Sequence, residues 1–75
     1  MHAYILVRLD KARERAAQED LGSLREVLEA NILFGEWDLL LKLEGKNPQH
    51  VGDIVIDKIR SNPDVSLTST LIVAE

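Results

Sequence analysis

The sequence has no cysteine, which excludes disulfides, thiolate zinc sites and iron–sulfur clusters. Its two histidines, His2 and His50, are far apart in the chain, and neither sits in a ligand-spaced cluster. Basic charge is in deficit: nine Lys and Arg stand against thirteen Asp and Glu, a net charge of −4. Tight nucleic-acid binding needs a basic face that displaces counterions from phosphates. The basic residues here are few and scattered, so direct DNA binding is not expected. No apolar run approaches the roughly 20 residues that span a bilayer. The N-terminal residues lack the basic and apolar regions of a secretory signal. A cytoplasmic location is expected. A chain of 75 residues allows one domain, expected to occupy 1–75. A domain this small buries only about 60% of the surface its unfolded chain exposes. With disulfides and metal clusters excluded, association with another subunit is the expected source of extra stability. Apolar residues make up 45% of the chain, enough for a core and an interface.

What is present is a series of short periodic segments. Ala3 to Leu9 alternates, with Ala3, Ile5, Val7 and Leu9 on one side and Tyr4, Leu6 and Arg8 on the other, as a strand does. Asp10 is placed to cap a helix from Lys11 to Leu21, with Ala12, Ala16, Ala17 and Leu21 as its apolar stripe. Arg15 and Glu19, one turn apart, are spaced for an ion pair, and Gly22 is a helix stop. Ser23 to Phe34 reads two ways. Ser23 and Glu26 have capping-box spacing, and Leu24, Val27, Leu28 and Asn31 fall at helical intervals. The alternative is a turn followed by a strand from about Val27. The strand is preferred, because Gly35–Asp38 is turn-like and Leu39–Glu44 is a strand, which completes a hairpin. Asn47 and Pro48 start a second helix, with Val51, Ile54, Val55 and Ile59 as its buried face. Ser61–Asp64 ends it, and Val65 to Ala74 forms the last strand.

The order is β-α-β-β-α-β, an α+β, ferredoxin-like class: a four-stranded antiparallel sheet with both helices on one face. The helices are expected to cover Ile5, Val7, Leu39, Leu41, Leu43, Leu71 and Val73. The open face is expected to carry Tyr4, Leu6, Leu40 and Ile72 among Arg8, Lys42 and threonines. Apolar residues left open in this way mark an association surface, so two sheets are expected to pair in a dimer.

Phe34-Gly35-Glu36-Trp37-Asp38-Leu39-Leu40-Leu41-Lys42 resembles the Gly-x-Tyr/Trp-Asp-hydrophobic signature of the effector-binding (RAM) domain of Lrp/AsnC regulators. Asp57–Val65 resembles that domain's second helix and exit turn, and Leu67–Val73 its last strand. The likeness spans essentially the whole chain, and is poorest around the first helix and Ser23–Glu26. It implies a small-molecule-binding module, with an amino acid as effector and no catalysis. It implies sheet-paired dimers assembled into rings of four or five, an octamer or decamer, with effectors bound between dimers. Gly35, Glu36, Trp37 and Asp38, with Thr68, Ser69 and Thr70, are the positions carried over. An effector's ammonium needs an anion such as Asp38. Its carboxylate needs amide or hydroxyl donors, such as those near Gly35 or on Thr68 and Thr70. Nothing corresponds to the helix-turn-helix domain of full-length members, with which co-assembly is a further expectation. No cofactor and no metal are expected.

Plainer roles stand beside these. Gly35 suits a positive-φ turn, Asp38 an Asx-type turn, and the threonines suit strands in general. Trp37 suits an oligomer interface, and His50 a solvated first helical turn. Tyr4 and Arg8 read as dimer contacts. A small dimeric enzyme of the same topology would need an acid–base pair between paired sheets, where only Tyr4, Arg8 and Lys42 are available. A structural adaptor that senses nothing is the other alternative. An ACT-type sensor shares the topology, and the Gly-x-Trp-Asp turn argues against it.

Overall fold

The computed structural model describes residues 1–74. Four strands form one antiparallel sheet: β1 (His2–Leu9), β2 (Val27–Ile32), β3 (Leu39–Glu44) and β4 (Val65–Ile72), in the spatial order β2-β3-β1-β4. Two helices, α1 (Glu14–Gly22) and α2 (Pro48–Ile54), lie on one face. α2 runs on into a wider π-type turn over Val55–Ile59, where the Arg60 amide reaches back five residues to the Val55 carbonyl (2.8 Å). Asn47 caps α2 through its side chain, which accepts from the His50 amide, and Pro48 is the first helical residue, as the sequence predicts.

The core lies between the helices and the sheet. Ala3, Ile5 and Val7 of β1 and Leu39, Leu41 and Leu43 of β3 are fully buried, facing Ala17 and Leu21 of α1, Val51 and Ile54 of α2, and Val55 and Ile59 of the π-type turn. The alternation of β1 and β3 and the spacing of the second helix place all these side chains correctly. Strand is the right reading of 27–32, and a bulge explains why it looked helical. Val27 pairs with Leu43 and Glu29 with Lys42, which leaves Leu28 as an extra, half-exposed residue. Leu24, Val27 and Leu28 mimic a helical stripe only because the bulge interrupts a period of two. The strand ends at Ile32, short of Phe34.

The first helix departs from expectation. It starts at Glu14, and Arg13 at its N-cap offers no side-chain cap. Asp10 is drawn away instead: its amide donates to the Asp64 carbonyl (2.9 Å), tying the end of β1 to the turn before β4. Arg15 and Glu19 form no ion pair among the described residues; Arg13 lies beside Asp64 instead (3.6 Å). Gly22 is the last helical residue rather than a left-handed stop. A Cβ there would meet the Ala30 Cβ at 3.3 Å, so its role is close approach of α1 to β2.

The faces of β4 are the reverse of those expected. Leu9 pairs with Val65 and Arg8 with Leu67, so Ser66 is an inserted residue; its hydroxyl donates to the Arg8 carbonyl (3.1 Å). Beyond that bulge Thr68, Thr70 and Ile72 stand opposite Val7, Ile5 and Ala3, on the helix side. Leu67, Ser69 and Leu71 stand opposite Arg8, Leu6 and Tyr4, on the open side. Ile72 therefore leaves the expected dimer face, and Leu71, expected in the core, joins it.

Candidate functional site

The 33–38 loop joins β2 to β3 at the C-terminal end of β1. Gly35 has φ 135°, a backbone conformation that side-chain-bearing residues rarely adopt, although nothing would obstruct a Cβ there. The constraint is the chain reversal itself. Asp38 closes the loop with three bonds. Its amide donates to the Val7 carbonyl (2.8 Å), and its own carbonyl accepts from the Leu33 amide (2.9 Å). Its carboxylate Oδ2 accepts from the Leu9 amide (2.7 Å). A side-chain oxygen thus continues the β1–β3 ladder where no backbone carbonyl is in place. Oδ1 takes no hydrogen bond among the described residues.

Arg8 grips the same loop from the open face. Its Nε donates to the Glu36 carbonyl (3.1 Å), and its guanidinium lies 5.0 Å from the centre of the Trp37 ring. Sequence reasoning placed Arg8 on the right face but missed this clamp. The only signal for it is register: Val7 opposite Leu39 sets Arg8 beside the loop's last residues.

Thr68, Ser69 and Thr70 divide between two surfaces. Thr68 and Thr70 line a groove between α2 and β4, while Ser69 lies on the open face opposite Leu6. Residues 35–38 are not part of that groove. Within one chain β1 stands between the two halves of the expected site, with Leu39 and Thr68 paired to opposite sides of Val7. The open face itself carries half-buried Tyr4, Leu6 and Leu40, with Leu67 and Leu71 about half exposed. Lys42 Nζ sits 6.0 Å from the centre of the Tyr4 ring, so this cation is also held against an aromatic face.

Several clefts lie around these elements among the described residues. One of about 450 Å³ lies between the start of α1 and the hairpin, with Arg13, Arg15, Ile32 and Phe34 among its walls. One of about 590 Å³ lies at the opposite end, between Arg25, Glu26, Glu44, Lys46 and His50. The α2–β4 groove measures about 470 Å³. His50 is a capping residue rather than a freely solvated one, since its Nδ1 accepts from the Lys46 amide (2.9 Å). Glu26 reaches Lys58 (2.6 Å), and the hydrogen bond from that ammonium holds its carboxyl below the usual range. Among the described residues no three His, Cys, Asp or Glu are grouped to hold a metal ion, and no helix is long and apolar enough to cross a membrane.

The model of the Lrp/AsnC ligand binding domain matches residues 2–75. An uncharacterized HTH-type transcriptional regulator of Pyrococcus abyssi is 41% identical over 73 residues, covering 93% of this chain and 49% of that protein. The chain spans about half the length of the curated relatives it matches. The crystal structure of FFRP-DM1 superposes with a TM-score of 0.89 at 35% identity, covering 96% of each chain. A transcriptional regulator of Neisseria meningitidis, solved in complex with L-Met, superposes with a TM-score of 0.83 at 28% identity, over 99% of this chain and 49% of that one.

Proposed function

The chain belongs to the Lrp/AsnC ligand-binding domain family, and from that premise we propose that it is a non-enzymatic sensing and assembly module of transcriptional control. Its effector is an amino acid. The described residues are used up by one βαββαβ unit, which leaves none for a helix-turn-helix. Contact with DNA would then come through a regulator with which this domain is joined or co-assembles, in the cytoplasm.

The observation that carries this reading is the clamped hairpin loop at the rim of an apolar open sheet face. Two copies pairing through Tyr4, Leu6, Leu40 and Leu71 remove that face from water. Burial of Arg8 in the pair would fix Glu36 and Trp37, the loop residues it holds. The effector lies between dimers, taking Gly35–Asp38 from one chain and hydroxyls of Thr68, Ser69 or Thr70 from a chain of another dimer. The separation of these two groups within one chain favours such a shared site. One oxygen of Asp38 is engaged by the Leu9 amide, and the other is available to an ammonium. The L-Met bound by the Neisseria regulator supports an amino acid as the ligand class.

Calorimetric titration with the twenty amino acids tests the sensing half. The expected result is saturable binding of one or a few, lost in Asp38→Asn while the fold is kept. No binding across the full set removes sensing and leaves assembly as the role.

A further inference from the structure

The cleft of about 590 Å³ at the end of the sheet away from Gly35–Asp38 has no part in the function proposed above. Its walls come from Arg25, Glu26 and Leu28 around the start of β2, Glu44 and Gly45 at the end of β3, and Lys46 and His50 around the start of α2. These segments are held close together. A Cβ on Gly45 would meet Val51 Cγ2 at 2.6 Å, so glycine is what lets β3 end this near to α2. The bulge in β2 leaves Leu28 half exposed as an apolar wall. Both carboxylates of the cleft already have partners. Glu26 Oε2 lies 2.6 Å from the Lys58 ammonium, and Glu44 lies 2.8 Å from His2 Nε2 and 2.7 Å from the Met1 nitrogen. Arg25 and Lys46 are exposed and form no ion pair among the described residues. The charge left over in the cleft is therefore positive, in a chain whose net charge is −4. His50 adds a donor. Its Nδ1 accepts from the Lys46 amide, so the proton of the neutral ring sits on Nε2. Glu26 Oε1 is buried and accepts no hydrogen bond among the described residues, a costly state for a carboxylate oxygen unless a donor meets it.

We propose that this cleft binds a small sugar phosphate, with the phosphate held by Arg25, Lys46 and His50 Nε2 and a sugar hydroxyl donating to Glu26. A phosphate monoester near neutral pH is a strong acceptor that carries more than one negative charge. Arg25 meets it with forked N–H groups and Lys46 as a point charge. A carboxylate that accepts from sugar hydroxyls is a pairing that nucleotide-binding folds use. The cleft is larger than a bare phosphate needs and falls in the range of small-ligand sites, roughly 300–1,000 Å³. Leu28 covers the carbon face of the sugar. All the residues come from one chain, so the site needs neither sheet pairing nor Asp38. A phosphorylated ligand there is a second input to the domain, separate from the amino acid.

Calorimetric titration of the wild-type protein with ribose 5-phosphate tests it, beside ribose, inorganic phosphate and inorganic sulfate. Saturable binding of one ribose 5-phosphate per chain is expected, and added salt should weaken it. Inorganic phosphate should bind more weakly, and ribose not at all. Arg25→Ser and Lys46→Ser, both at exposed positions, should each weaken binding by about tenfold or more, with circular dichroism showing the fold kept. Asp38→Asn should leave it unchanged, which separates this site from the amino-acid site. Three results overturn the proposal: no saturable binding of ribose 5-phosphate, sulfate bound as well as ribose 5-phosphate, or binding that Arg25→Ser and Lys46→Ser both leave intact. None of these bears on amino-acid binding, and a protein that binds no amino acid would still be expected to bind the sugar phosphate.

Discussion

Gly35 shows how much one residue type can fix. With φ at 135°, Gly35→Ala should cost about 1–3 kcal/mol even though space for the methyl group is open. A lowered melting temperature at matched protein concentration checks this. Glu26 carries a pH prediction. Its folded carboxyl is held below the unfolded value by Lys58, so its stabilising effect is full above the ordinary Glu range and is lost as pH falls through the depressed value. Glu26→Gln should melt below wild type at neutral pH, and the two curves should converge as acid protonates Glu26. Equal melting at neutral pH would remove this account of the pair. The turn role of Gly35 was legible in the sequence, because backbone conformation is a local property. The bond from the Leu9 amide to Asp38 was not, because its partners lie 29 residues apart and nothing local selects them.

Elements were legible wherever their period ran unbroken. β1, β3 and α2 carry uninterrupted patterns, and the buried residues match them. β4 was misread for a specific reason. Alternation counted from Val65 is right for one residue, and the bulge at Ser66 then reverses every later side chain. The reversal makes a sharp prediction. Leu71→Glu, on the open face, should abolish sheet pairing, whereas Ile72→Glu, on the helix side, should leave it intact. Size-exclusion chromatography with light scattering distinguishes them, and the opposite pattern would restore the unbroken alternation. The end of β1 offers a second test. Asp38→Ala leaves the part-buried Leu9 amide without its acceptor and should cost about 1–3 kcal/mol, while Asp38→Asn keeps an oxygen there and should cost less. Chemical denaturation of both variants measures the difference.

At the scale of the whole molecule the small core and the open sheet face belong to one problem. An 8.4 kDa chain with no cysteine has little means of stabilising itself alone, and the open face of its sheet leaves Leu67 and Leu71 about half exposed beside half-buried Tyr4, Leu6 and Leu40. The proposed pairing would address both, and it would set the hairpin loops at the rim of a shared surface. The family likeness of the Gly35–Asp38 segment and the βαββαβ order were readable from residues in sequence. The placing of β1 between Asp38 and Thr68, and of Ser69 on the face opposite to Thr68 and Thr70, came only from the folded chain. Sedimentation equilibrium of the wild-type protein measures the association most directly. A weight-average mass of at least two chains throughout the micromolar range is predicted, with no folded monomer. A single, fully folded 75-residue species at those concentrations would contradict it.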